Sequence, residues 1–113
     1  MPKQNVTEEA APVAVIEAAE ALGDRIKLAR QRRRMRQVDL AARAGITTKT
    51  LRRAEAGELG TGIGVYAAVL WVLGLLGGLA AVADPDADLE GRTLDAARRG
   101  KRVRPAAGLS DDF

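Results

Sequence analysis

The sequence of 113 residues contains neither cysteine nor histidine. Without cysteine, disulfide bonds and thiol catalysis are excluded, and without both residue types the usual zinc ligands are missing. General base catalysis by an imidazole is excluded as well. The carboxylates stand in segments that we expect to be solvated, and no nucleophile has a neighbouring base. The sequence therefore does not predict an enzyme, a metal site or a bound cofactor.

Charged residues are absent from positions 61–83, a run of 23 residues. A run of this length could cross a membrane as a helix, and Gly74 and Gly78 stand at the G-x-x-x-G spacing of packed membrane helices. The run contains five glycines, however, and Gly74 lies where a helix would end in a glycine C-cap. We therefore expect two short helices, at about 62–73 and 76–83, and no membrane span.

The N-terminus shows no sign of a secretion signal. It is polar, it carries Glu8 and Glu9, and it lacks an apolar segment followed by a cleavage site. A cytoplasmic location is therefore expected.

Positive charge is concentrated in the middle of the chain. Residues 24–57 contain eleven lysines and arginines against three acids, a balance of +8 within a total of only +3. Residues 58–95 contain six acids against Arg92 alone, a balance of −5. A basic segment beside an acidic one indicates a face that binds phosphate and a second surface with another task.

The segment QVDLAARAGITTKTLRRAEAG, residues 37–57, has the pattern of two helices joined by a tight turn. Its small and apolar residues recur at the spacings that face a shared core, namely Leu40, Ala44, Ile46, Leu51 and Ala54. Ala41 is small enough for two helices to cross closely at its position. Gly45 suits the turn because glycine adopts a positive φ at low cost. Thr47 can cap the second helix by accepting a hydrogen bond from one of its free amides.

The outward positions of the second helix are polar and mostly basic: Thr48, Lys49, Arg52 and Arg53. A helix with an apolar inner face and a basic, hydrogen-bonding outer face suits the major groove of double-stranded DNA. Lysine and arginine favour the acceptors of guanine, and threonine can meet thymine or a phosphate. DNA is therefore the expected ligand.

The order Q-x-x-L-A-x-x-A-G-I-T…L-R-R…E-x-G resembles the helix-turn-helix of the Cro and phage-repressor (Xre) family, and the likeness extends from about Asp24 to about Ala83. It implies an all-α fold: a five-helix, repressor-like helix-turn-helix domain with flexible N- and C-terminal extensions. The implied boundaries are a leader at 1–22, partly helical at best, a DNA-binding domain at 23–84, and a short helix with a disordered tail at 85–113. A three-helix bundle without a DNA partner could share the spacing, but it would not explain the concentration of arginine.

The resemblance also implies roles for the polar residues of the motif. Base contacts are expected from Thr48, Lys49 and Arg53, and Arg52 is expected to contact a base or a phosphate. The expected phosphate contacts are Arg32, Arg34, Arg36, Gln37 and Thr47, with an adjacent base as the alternative contact for Gln37. Gln37 opens the first helix of the motif, where free amides point toward the sugar-phosphate backbone. An ion pair between Arg30 and Glu55 is expected to link the first helix of the domain to the end of the recognition helix.

Arg34 departs from the family pattern, because family members often have glycine where a helix ends in a left-handed turn. An arginine at that φ costs about 1 kcal/mol, and an added charge near a phosphate is the expected compensation. In a sequence without this motif, the four arginines between 32 and 36 would be typical of a solvated face. Beside this motif they indicate phosphate contact.

Helices are also expected on both sides of the motif. The alanine-rich residues 13–22 indicate a short leading helix that is broken near Gly23. A flexible, partly helical extension fits them equally well. Asp24 is then the cap of the first domain helix. After the motif, residues 84–85 should end the fifth helix, because a residue before proline avoids the helical region. Asp88 can cap a short amphipathic helix that extends through Ala97.

These observations predict a sequence-specific transcriptional repressor that binds a palindromic operator as a homodimer. Two copies require an interface, and the uncharged run contains more apolar surface than one small domain can bury. The expected interface residues are Trp71, Leu75, Leu76 and Leu79, unless all four belong to the core of the monomer.

A narrower prediction comes from residues 83–104, ADPDADLEGRTLDAARRGKRVR. This segment, the compact domain and the absence of a ligand-sensing domain look like HipB-type antitoxins, which pair with a HipA-like kinase toxin and repress their shared operon. A free-standing repressor is the simpler alternative. The competing class is an interaction or membrane-anchored adaptor that recruits a partner through residues 61–83.

Overall fold

The regular secondary structure of the described residues is entirely helical. The computed structural model describes residue 7, residues 9–100 and the backbone of residues 101–102. Its elements are α1 (Val13–Arg32), α2 (Gln37–Ala44), α3 (Thr48–Glu55), α4 (Ile63–Leu73), α5 (Leu76–Ala80), a 3-10 helix (Pro85–Ala87) and α6 (Leu89–Arg102). No strand occurs in these residues, so the predicted all-α fold is confirmed. The predicted extensions include residues 1–6, 8 and 103–113, which lie outside the described residues.

The core forms where the first four helices meet. Each of them contributes one large side chain that is almost completely buried: Ile26, Leu40, Leu51 and Val69. Ala41 and Ala54 are buried, and Ala44 and Ile46 are partly buried, so the inward positions predicted from the spacing are confirmed. Both α1 and α2 pack on α3, and α4 packs mainly on α2. Packing against both α1 and α2 therefore fixes the position of α3.

The predicted break near Gly23 is wrong, because α1 continues from Val13 to Arg32. Gly23 is buried within this helix, against the end of α3. A Cβ atom here would lie 2.5 Å from the carbonyl oxygen of Glu55 and 2.8 Å from that of Ala54. The glycine is needed for a close approach of two helices, although in the sequence alone it indicates a helix break. The leader was predicted to be partly helical at best. It is helical from Val13 onward.

Gly57 makes the reciprocal contact from the end of α3. Its φ is +73°, in the region where a side chain is strained. A Cβ atom would lie 2.6 Å from Cα of Glu20 and 2.7 Å from the carbonyl oxygen of Ala19. The first half of α1 therefore packs against the residues that end α3, and a glycine stands on each side of the contact.

The uncharged run is divided between two helices. As predicted, α4 ends at Gly74, which has a φ of 78°. The next helix is shorter than predicted, because α5 ends at Ala80 rather than at Ala83. Gly77 and Gly78 weaken the helix, and none of its residues is fully buried. None of the helices in the described residues is both long enough and apolar enough to cross a membrane.

The chain divides into two compact units, one ending at Leu79 and one beginning at Ala80. In the second unit, the Oδ1 atom of Asp88 accepts a hydrogen bond from the amide of Gly91 at 2.9 Å, which is the predicted cap of α6. The helix continues to Arg102, beyond the predicted limit at Ala97. Asp95 forms ion pairs with the arginines at 98 and 99, and such pairs support the additional turn.

Candidate nucleic-acid interface

A buried ion pair links α1 to the end of α3. Arg30 Nε donates to Glu55 Oε2 at 2.7 Å, and Arg30 Nη2 donates to Glu55 Oε1 at 3.0 Å. Only 8% of Arg30 and 6% of Glu55 is exposed. Arg30 Nη1 also donates to the carbonyl oxygen of Met35 at 3.0 Å. The pair implied by the resemblance is therefore present, and it extends to the turn between α1 and α2.

Gln37 is a further member of this network, at the first position of α2. Its Nε2 atom donates to Glu55 Oε1 at 3.0 Å. Within the described residues, the second side-chain amide hydrogen and the side-chain carbonyl oxygen of Gln37 form no hydrogen bond, so both can reach an outside partner. Sequence reasoning placed Gln37 on the phosphate backbone and missed Glu55, because the two residues are 18 positions apart. The network orients Gln37 from within the fold, whichever outside partner it contacts.

Thr47 is committed to the start of α3. Its Oγ1 atom accepts a hydrogen bond from the Thr50 amide at 3.1 Å, so it is the predicted N-cap. The same hydroxyl donates to Thr50 Oγ1 at 2.9 Å. Because the hydroxyl proton and one lone pair are used within the chain, the structure does not favour the predicted phosphate contact from this side chain. Gly45, two residues before Thr47, has a φ of 74°, as the turn requires.

The outer face of α3 carries the residues expected to contact bases. Lys49, Arg52 and Arg53 are exposed, and Thr48 is half-buried. On the opposite side of this eight-residue helix, Leu51 is completely buried. In the described part of the chain none of the three cations forms an ion pair. Their charged groups are available for an external acceptor.

The arginines after α1 differ in their surroundings. Arg32 and Arg34 are exposed, and Arg34 has the left-handed backbone that the family pattern implies, with a φ of 55°. Arg33 turns back on its own helix, where Nη1 donates to the carbonyl oxygen of Ala29 at 2.8 Å. Arg32 and Arg34 are therefore the better placed for an outside phosphate.

Arg36 pairs with Asp39 at the start of α2. Arg36 Nε lies 3.1 Å from Asp39 Oδ2, and the Arg36 amide donates to the same oxygen at 3.2 Å. The hydrogen bond from the Arg36 side chain lowers the pKa of the Asp39 carboxyl below its ordinary value. A phosphate contact from Arg36 would have to compete with this carboxylate, so Arg36 is a weaker candidate than Arg32.

Sequence reasoning missed a pocket beside α3. Its volume is about 220 Å³, and it is lined by Thr50, Arg53, Glu58, Gly60, Thr61, Gly62 and Val65. Arg53 thus belongs to the outer face of α3 and also lines this recess. The only sequence signal is the Gly60-Thr61-Gly62 loop, which has little side-chain bulk.

Comparison of the chain with protein-family models, with curated proteins and with solved structures finds no match. The likeness to helix-turn-helix repressors therefore remains a prediction from the quoted residues.

Proposed function

We propose that the chain is a sequence-specific DNA-binding protein, a homodimeric transcriptional repressor of a palindromic operator. The observation that carries the proposal is the outer face of α3, with three exposed cations that have no ion-pair partner in the described residues. An α-helix fits the major groove, where lysine and arginine donate to guanine. The Arg30–Glu55 pair supports this role, because base discrimination requires a helix of defined orientation.

The charge of the surrounding segment supports the same proposal. The balance of +8 over residues 24–57 includes the exposed Arg32 and Arg34 just before α2. Arginines that neutralise phosphates release counterions, so they add affinity for DNA of any sequence. Base contacts from α3 and phosphate contacts from the end of α1 would thus have separable effects.

Replacing Arg53 by alanine is expected to relax preference at one operator position and to leave binding to random DNA largely intact. A bidentate contact to a base contributes about 1–3 kcal/mol of discrimination. The operator is first identified by selection from a random pool of DNA. Competition titrations with variants of that operator then measure this preference. If Thr48→Ala, Lys49→Ala and Arg53→Ala chains all prefer the operator to scrambled DNA as strongly as the parent does, α3 does not read bases.

Replacing Arg32 by alanine is expected to weaken binding to operator and random DNA alike. The slope of log affinity against log salt should become shallower by about 1, because one phosphate contact is lost. A smaller effect is expected for Arg36→Ala, since Arg36 already pairs with Asp39. Anisotropy titrations over a salt series measure both variants. A changed base preference in either one would contradict the assignment to phosphate.

A narrower form of the proposal makes the chain the antitoxin and autorepressor of an operon with a HipA-like kinase toxin. Its support is the resemblance of residues 83–104. We expect the chain to copurify with a kinase encoded by the neighbouring gene. A free-standing repressor would have no such partner.

The competing function is that of an adaptor that uses residues 61–83 to recruit a partner or a membrane. The observation in its favour is the exposed apolar surface of this run, where Trp71 is 65% exposed. A high-salt extract without detergent separates the two functions. We expect a DNA-binding dimer in that extract, whereas a membrane-anchored adaptor would require detergent.

A further inference from the structure

The outer face of α4, defined as Gly64, Ala67, Ala68 and Trp71, lies opposite the residues that this helix buries. The four positions follow the i, i+3, i+4, i+7 spacing of one helix side. Val69, Leu70 and Leu73 are buried on the other side. Gly64 and Trp71 are exposed, and the two alanines are half-buried. This helix therefore has an apolar face that its own core does not use.

The surroundings of this face are also apolar. Ile63 is 71% exposed and Trp71 is 65% exposed, and Leu75 and Leu76, which follow α4 in the chain, are 42% and 38% exposed. No charged residue occurs between positions 61 and 83. A partner could cover the face without removing a charge from water, which would be costly. An exposed apolar surface of this kind marks an interaction site, and tryptophan is among the residues that contribute most at interfaces.

The sizes of the side chains indicate which partner fits. The largest residue, Trp71, stands at the C-terminal end of the face, and Gly64 stands at the N-terminal end, with alanines between them. A Cβ atom on Gly64 would meet nothing within 4 Å, so the space above this glycine is open. A second copy of α4 in antiparallel orientation places a tryptophan over each glycine. A parallel copy would instead oppose tryptophan to tryptophan and leave a gap between the glycines.

We propose that a second copy of the chain docks on the outer face of α4, with the two α4 helices antiparallel and Trp71 of each copy over Gly64 of the other. The two-fold axis then passes between Ala67 and Ala68, since both residue pairs are centred there. A two-fold contact must use the same surface on both copies, and this face is complementary to itself. The inference deepens the proposed function, on which it rests for the need for two copies.

This arrangement differs from the interface predicted from sequence. Trp71 belongs to both, but Leu79 packs partly against the core of its own chain, so it is not freely available. Leu76 lies on α5, and in the antiparallel arrangement the two Leu76 residues stand at opposite ends of the contact. A helix of 11 residues is only about 16 Å long. The contact is therefore small, and we expect dissociation constants in the micromolar range.

Gly64→Leu is the most discriminating substitution. We expect it to weaken self-association by at least about tenfold, because the leucine occupies the space that Trp71 of the other copy requires. The monomer itself should fold at least as well, since the position is open and leucine is a better helix former than glycine. Gly100→Leu in α6 is the matched control and should associate like the parent. Sedimentation over a concentration series, without DNA, measures all three chains, and circular dichroism checks their helicity.

A cysteine cross-link tests the orientation. The chain contains no cysteine, so one introduced residue is unique. Ala68→Cys should form a covalent dimer under mild oxidation, because the position lies beside the two-fold axis, and Leu76→Cys should not. Cross-linking through Leu76→Cys but not Ala68→Cys would move the contact to α5 and overturn the proposal. It would also be overturned by a parent that stays monomeric at micromolar concentrations or by a Gly64→Leu chain that associates normally. These outcomes leave DNA binding by α3 open, because its base preference is measured separately.

Discussion

Replacement of Glu55 by alanine is expected to lower the free energy of unfolding by about 3–5 kcal/mol, because it leaves a buried guanidinium without its partner. Arg30 is only 8% exposed and donates two hydrogen bonds to Glu55. Gln37 would lose its partner in the same step. Small domains have a total stability of about 5–15 kcal/mol, so this single change would remove a large part of it. Urea denaturation followed by circular dichroism measures the loss.

Two further variants make the result specific. Asp95→Ala removes the acceptor of two exposed ion pairs in α6 and should cost no more than about 1 kcal/mol. Arg30→Met combined with Glu55→Leu removes both buried charges and should recover much of the stability lost in Glu55→Ala. A loss below about 1 kcal/mol for Glu55→Ala would show that the buried pair does not hold α3 in position.

Replacement of Gly57 by alanine is expected to cost about 2–4 kcal/mol. A side chain at a φ of +73° is strained by about 1 kcal/mol, and crowding in a packed region costs about 1–3 kcal/mol more. The crowding is severe because the new Cβ atom would lie 2.6 Å from backbone atoms of α1. We expect the first half of α1 to move away from the end of α3. Limited proteolysis should then cut this half first.

Substitutions at Gly45 and Gly23 distinguish the cost of backbone strain from the cost of crowding. Gly45→Ala introduces the same left-handed strain, at a φ of +74°, but its Cβ atom would meet nothing within 4 Å. It should cost only about 1 kcal/mol. Gly23→Ala introduces crowding against Glu55 without a positive φ. If Gly57→Ala and Gly45→Ala cost the same, crowding of the new Cβ atom against α1 adds nothing to the cost of strain.

Local patterns predict much of this fold because their causes lie within a few residues. The spacing of Leu40, Leu51 and Ala54 follows from the helical period, and the structure buries all three. Thr47 caps α3 and Gly74 ends α4, since both roles depend on free backbone groups at a helix end. The left-handed backbone of Arg34 was predictable only from the resemblance, because nothing in its side chain requires it.

Features that depend on distant residues could not be predicted. Gly23 indicates a helix break until the carbonyl oxygens of residues 54 and 55 are seen beside it. The hydrogen bond from Gln37 to Glu55 joins two helices through side chains, and no spacing rule covers it. The double use of the Thr47 hydroxyl depends on Thr50 as an acceptor. These interactions within the chain determine which of the side chains predicted to bind phosphate remain available for it.

Selection of bound sequences from a random pool of double-stranded DNA tests most directly whether α3 reads bases. With the parent chain we expect enrichment of one two-fold symmetric sequence, with half-sites about 10 base pairs apart. With Arg53→Ala we expect the same sequence without preference at one position in each half-site. Salt-dependent binding with no enriched sequence would contradict recognition by α3 and leave only a nonspecific phosphate-binding surface.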